Sequence, residues 1–256
     1  MSLAIQKDVD FSAVATGYLP PVTAGVEYFN FFNSEDSLTR NLIPNKPTPA
    51  KNGSPLFNTN GQSFLLTNQL NFINTGIKPT DEMTIITVAE PTGADGFSPT
   101  RSTTGSPITN GGSFTSQSFM RQSATTRNPT LSLSYSTDGF ITRQNLSYGV
   151  SSGVDNIRLR AIASAFSQTA KTSSLYDLTN NKNGQAPLPA NGVYGKAGNI
   201  LLGSHYNAAE SSQGNLYAAA IYSRMLTATE IGQVYAALNA YYSKKRDFYV
   251  IKISLS

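Results

Sequence analysis

The sequence predicts an all-β protein, a two-sheet antiparallel sandwich closed by one short helix, and three observations lead there. Charged residues make up only 13% of the 256, whereas Ser, Thr, Asn and Gly are abundant, the balance of a turn-rich β protein with a neutral polar surface. Apolar residues recur in short runs of period two, separated by turn residues, as in Leu131-Ser132-Leu133-Ser134-Tyr135-Ser136 before Thr137-Asp138-Gly139. The stretch from Gly214 to Tyr242 reads as a strand covered on both faces that runs directly into a capped helix. At this length all-β sandwiches are routinely one domain.

Taken in order, residues 1–25 form an arm that attaches to something else, ended by Leu19-Pro20-Pro21. Residues 26–245 form the sandwich. Val26 to Phe32 is aromatic and continuous enough to be a first strand buried on both faces. Asn33 to Asn60 carries Pro44, Pro47, Pro49 and Pro55, so a surface loop with short strands is expected. Ser63 to Leu66, Leu70 to Ile73 and the β-branched Met83 to Ala89 are the next core strands, and Gly93 to Gly112, without hydrophobic pattern, is a long loop. The hairpin at 131–141 follows, then alternating runs at Ile157 to Phe166 and Lys171 to Leu178, a turn over Asn180 to Gly184, and a loop at Pro187 and Pro189.

In the closing stretch, strict alternation sends Leu216, Ala218, Ala220 and Tyr222 one way and Tyr217, Ala219 and Ile221 the other. Thr227 and Glu230 have capping-box spacing, and Ile231, Val234, Tyr235, Leu238 and Tyr241 or Tyr242 form the helix's apolar stripe. Residues 246–256 end in an apolar strand pattern, Asp247 to Leu255, which is either an extra strand of the same sheet or an oligomer contact.

Composition also excludes classes of function. A net charge of +4 with scattered basic residues speaks against nucleic acid. No cysteine is present for a disulfide or thiolate site, and no apolar run is long enough to span a bilayer. The first residues lack the basic cap and apolar run of an export signal, so synthesis in a bacterial cytoplasm is expected.

Gly-x-Leu-x-x-x-x-Ile-Tyr-x-Arg-x-Leu-Thr-x-x-Glu-Ile, from Gly214 to Ile231, resembles the closing motif of the concanavalin A-like lectin/glucanase superfamily in its laminin-G and pentraxin-like branch. Lys78 to Pro91 is similar to the Thr-Ile-containing strand of the same domains, with Met83 and Val88 where aromatics are common, and Gly198 to Gly203 resembles the strand before the closing motif. The resemblance covers roughly Val26 to Lys245 and implies an antiparallel jelly roll that binds glycans. Such domains without export signals look like bacteriophage or prophage tail components. The implied location is the virion, and the implied partners are other tail proteins and bacterial surface glycan, in a homo-oligomer.

The superfamily also contains glycoside hydrolases, whose paired carboxylates come from alternate positions of one strand. That spacing is absent: Glu35-Asp36 and Asp81-Glu82 are adjacent pairs, which face opposite sides of a strand, and the only histidine, His205, has no partnering acid beside it. A non-catalytic module is therefore expected. The resemblance implies calcium, for which Asp177, Asn180, Asn181 and Asn183 are an oxygen-rich cluster, as are Asp155 and Asn156, although turn chemistry accounts equally for these residues. For a glycan platform the candidates are Tyr148, Tyr194 and Tyr206 in Gly- or Asn-rich loops, where a tyrosine is also commonly a loop anchor. A structural decoration or assembly protein, and a divergent polysaccharide-degrading enzyme, are the competing functions.

Overall fold

A computed structural model describes residues 19–58, 62–92, 97–103, 114–119, 129–137, 140–147, 159–194, 198–204 and 213–245. They form two antiparallel sheets and one helix. The first sheet runs β13 (Lys182–Pro187), β12 (Thr172–Asp177), β11 (Arg160–Ser167), β6 (Glu82–Pro91), β16 (Gln213–Tyr222), β4 (Ser63–Thr67), β3 (Leu56–Asn58), with β1 (Val26–Phe31) also on β16. The second runs β10 (Phe140–Ser147), β9 (Pro129–Thr137), β8 (Phe114–Phe119), β7 (Phe97–Thr103), β15 (Ile200–Leu202), β5 (Phe72–Asn74), β2 (Ala50–Asn52), with β14 (Val193–Tyr194) on β9. The helix α1 spans Ala228–Lys245, 18 residues and so longer than the short helix expected.

The first sheet is buried on both faces, which is why its central strands are so apolar. Its inner face meets the second sheet through Tyr28, Phe32, Phe64, Leu66, Met83, Ile85, Ile162, Phe166 and Ile221. Its outer face is covered by α1, which lays Ile231, Val234, Tyr235, Leu238 and Tyr242 on Phe29, Phe31, Ile86, Val88, Ala163, Ala220 and Tyr222. Small residues on β16 let the helix come close. Val22, within the stretch read as an arm, also belongs to this outer core, and its carbonyl accepts from Tyr222 Oη at 3.3 Å.

Strict alternation fails in β16. Leu216 pairs with Ala89 and Ala218 with Val88, so Tyr217 is an extra residue on the strand. The bulge sends Leu216 to the inner core with Ala219 and Ile221, and Tyr217 to the outer core with Ala218, Ala220 and Tyr222. The Tyr217 carbonyl then accepts from Phe32 N at 2.8 Å and from the buried Tyr242 hydroxyl.

Other differences have equally local causes. The loop expected over Gly93 to Gly112 contains β7, whose backbone pairs with β8 and β15; the pairing slips between Phe97 and Thr100, beside Pro99, which has no N–H to give. Leu70 sits in the turn between β4 and β5 and is 67% exposed rather than core. The turn expected over Asn180 to Gly184 ends sooner, because Asn181 takes the left-handed conformation at φ 51° and β13 starts at Lys182. Gly203, after β15, is needed as glycine: its φ is 77°, and a Cβ there would lie 2.4 Å from Leu66 Cβ. Residues 246–256 and 1–18 lie outside the described residues.

Candidate functional site

The site is built by α1, which its first turn fixes in place, and the β12–β13 hairpin. Thr227 and Glu230 form the expected capping box: Thr227 N donates to Glu230 Oε2 at 2.9 Å, and Glu230 N to Thr227 Oγ1 at 3.3 Å. The Arg224 guanidinium grips the same carboxylate through Nη1 and Nη2, at 3.1 and 2.5 Å, and its Nε donates to Ala24 O at 2.8 Å. With the Arg224 hydrogen bond as the main cause and Thr227 N–H adding to it, the Glu230 carboxyl falls to about 2. Thr84 of β6 anchors the helix entry from below, accepting from Leu226 N at 2.8 Å and donating to Arg224 O at 2.9 Å.

So fixed, α1 stands beside the hairpin with an open groove of about 510 Å³ between them, within the size range of small-molecule sites. Its floor is a ladder of small residues one turn apart on the helix, Ala228, Gly232, Ala236 and Ala240. Tyr176 and Leu178 of the hairpin form the opposite wall, Asn181, Asn183 and Asn239 bring amides, and Lys182 and Asp177 also adjoin the opening. Tyr176 and Asn183 are directly paired across β12 and β13, hence on one face.

Two features stand out physically. Gly232 is exposed in the interior of a helix, where glycine costs about 1 kcal/mol relative to alanine, yet a Cβ added there would meet nothing within 4 Å. No packing within the described residues uses the missing methyl. Tyr235 is only 7% exposed, and its hydroxyl makes no hydrogen bond of normal geometry. Burial pushes this phenol up to about 12, with Thr179 nearby pulling it down and the Asp177 charge adding to the rise. Thr179 Oγ1 itself accepts from Ala161 N at 2.8 Å.

The residues picked from sequence are partly brought together. Asp177, Asn181 and Asn183 adjoin the groove. The Asp177 carboxylate is fully buried and paired with Arg160 Nη1 at 3.2 Å, and it accepts from Asn180 N at 3.1 Å and Asn180 Nδ2 at 2.8 Å. It thus holds the hairpin turn and balances an arginine that is 1% exposed. Among the described residues no cluster of three His, Asp or Glu side chains has the arrangement of a metal site. Tyr194 lies in β14, its backbone paired with Tyr135, while Tyr148, Tyr206, Asp155, Asn156 and His205 lie outside the described residues. The small-residue ladder, Tyr176 as a wall, and Tyr235 and Asn239 as lining residues were not picked from sequence. The ladder was visible there as four small residues at spacing four, on the side of the helix away from the apolar stripe.

No family model matches the chain, and no curated protein matches it. Solved structures do. The binding domain of Paraclostridial Mosquitocidal Protein 1 is 16% identical, matching 85% of this chain and 52% of that one with a TM-score of 0.57. A botulinum neurotoxin type C structure is 10% identical over 84% of this chain and 51% of its own, at 0.55. Trypanosoma rangeli sialidase is 12% identical over 89% of this chain and 37% of its own, at 0.56. The chain therefore spans about half the length of the toxin structures, and what it shares with all three is the β-sandwich architecture. Among the described residues, no helix is long and apolar enough to cross a membrane.

Proposed function

We propose that the chain is a non-catalytic, lectin-like module of a bacteriophage or prophage virion, of the concanavalin A-like type, which binds a bacterial surface glycan in the groove beside α1. The observation that carries the reading is Gly232, a glycine held in a helix at a cost that nothing in the described residues offsets, on the floor of a groove lined by apolar, aromatic and amide groups together with Lys182 and Asp177. An approaching ligand uses such an opening. Sugars match this lining, since one face of the ring is C–H and its rim is hydroxyl. The likeness to known structures supports the reading: the neurotoxin structure is described by cell entry that depends on two ganglioside molecules, and the sialidase by its complex with sialic acid.

On β6 the carboxylates lie too far apart to act as a hydrolytic pair, in keeping with a binding role. Glu82 and Glu90 stand eight residues apart on β6, about 26 Å along a strand, whereas glycosidases hold their pair within roughly 5 to 10 Å. Glu82 accepts from Ser167 Oγ at 2.6 Å, and Glu90 from Asn215 and Tyr217 at 3.4 and 3.3 Å. Tail proteins and a second copy of the chain are the proposed assembly partners.

An array of bacterial surface saccharides tests the reading with the wild-type chain and Gly232→Leu, whose side chain enters the groove without touching the core. The wild type binds a defined subset, and Gly232→Leu keeps its circular dichroism melt and loses that binding. Silence of a folded wild type across the array transfers the function to a structural decoration or assembly protein.

A further inference from the structure

The charges at the opening of the groove indicate the chemical class of its ligand. Asp177 and Lys182 both line it and are directly paired across β12 and β13, yet they do not serve each other. The Asp177 carboxylate is fully buried and engaged by Arg160 Nη1 and by both nitrogens of Asn180. Lys182 is half-buried, and its ammonium has no hydrogen bond or ion pair among the described residues. The Arg160 charge cancels that of Asp177, so the lining is left with one uncompensated positive charge, on Lys182. Register points the Lys182 Cβ away from the face that bears Tyr176 and Asn183. Among the described residues, however, β13 is the terminal strand of its sheet, and a lysine stem of four carbons is long enough to bring its ammonium round that edge.

We infer that the groove takes an acidic saccharide, whose carboxylate pairs with the Lys182 ammonium at the rim, between the amides of Asn181 and Asn183, while the C–H face of the ring lies on the Ala228, Gly232 and Ala236 ladder. This rests on the glycan reading above and makes it specific. A neutral sugar leaves the ammonium in water and gains little from it. A carboxylate makes a charge-assisted hydrogen bond there, roughly twice as strong as a neutral one, and no free carboxylate of the lining opposes it. Because the lysine supplies the positive charge, no calcium ion is needed to bridge protein and sugar. Calcium would also need anionic oxygens, and the one carboxylate adjoining the groove already holds an arginine and two nitrogens of Asn180.

The experiment compares trigalacturonate with galactotriose of the same linkage by titration calorimetry, in calcium and in chelator, on the wild type, Lys182→Met, Lys182→Arg and Gly232→Leu, beside the saccharide array. The expected result is array hits among acidic sugars. Trigalacturonate, or the best acidic hit, then binds roughly three- to tenfold more tightly than its neutral counterpart, equally in calcium and in chelator. That preference shrinks in about 1 M salt, where charges are screened beyond about 3 Å. Lys182→Met keeps the stem and removes a charge that has no partner in the free protein, so it melts with the wild type and loses the acidic preference. Lys182→Arg retains it. Array hits confined to neutral sugars, equal affinity for the acidic and neutral compounds, a preference that survives Lys182→Met, or loss of acid binding in chelator overturns the inference and leaves the glycan reading standing. Array silence from a folded wild type overturns both. Array binding that survives Gly232→Leu places the sugar outside the groove and overturns the inference with it.

Discussion

Gly232 separates what a residue does for the fold from what it does for a ligand. Because an added methyl meets open space, Gly232→Ala gains helix propensity of about 1 kcal/mol without strain. In a chain of this size that raises Tm by roughly 2–4 °C in a thermal melt. Asp177 is the opposite case. Asp177→Ala leaves the buried Arg160 guanidinium without its carboxylate, a loss of about 3–5 kcal/mol, and urea denaturation shows the same loss with calcium and with chelator. Glu230 carries a pH dependence whose sign follows from its lowered pKa. Its folded value of about 2 lies below the unfolded carboxyl value, near 4.3, so its contribution is complete above that value and fades as pH falls toward 2. Melts from pH 7 to pH 2 accordingly show a shallower acid decline in Glu230→Gln than in the wild type, and less difference at high salt, the pair being partly exposed.

At the scale of elements, what could be read from sequence and what could not divide along the range of the cause. The capping box, the apolar stripe of α1 and the β-branched run of β6 are written within a few residues, so Thr227, Glu230, Ile231 and Val234 appear where spacing puts them. The bulge at Tyr217 is written in no such window. It exists because β16 must present Leu216 inward and Ala218 outward against β6 at once. Strand β7 escaped for another reason: Ser, Thr and Pro in Phe97–Thr103 look like loop, yet backbone pairing with β8 and β15 asks only for extended residues. The groove was half legible, since the Asn-rich turn is a local signal, whereas its partner wall is brought from some fifty residues further on in α1. The joint between β6 and α1 hangs on one hydroxyl. Thr84→Val strands Leu226 N and the Arg224 carbonyl, at a cost of about 1–3 kcal/mol in chemical denaturation.

Across the whole molecule, α1 is a second lid on a sheet that already has one covered face. A chain cut before Ala228 exposes Phe29, Phe31, Ile86, Val88, Ala220 and Tyr222 together, and it is expected to bind hydrophobic dye and aggregate instead of melting cooperatively. The position of β16 has a consequence for how such a molecule is made. This strand pairs with β6 along one edge and with β4 and β1 along the other, yet it is synthesised after all of them. A ribosome adding about 5–20 residues per second reaches it roughly 7–30 seconds after β4 has been made. During that interval the nascent chain carries strands whose shared neighbour does not yet exist. Their open edges are ready substrates for a chaperone or for the same strands on an adjacent polysome, so the yield of folded protein is set by how long translation delays the keystone of its first sheet.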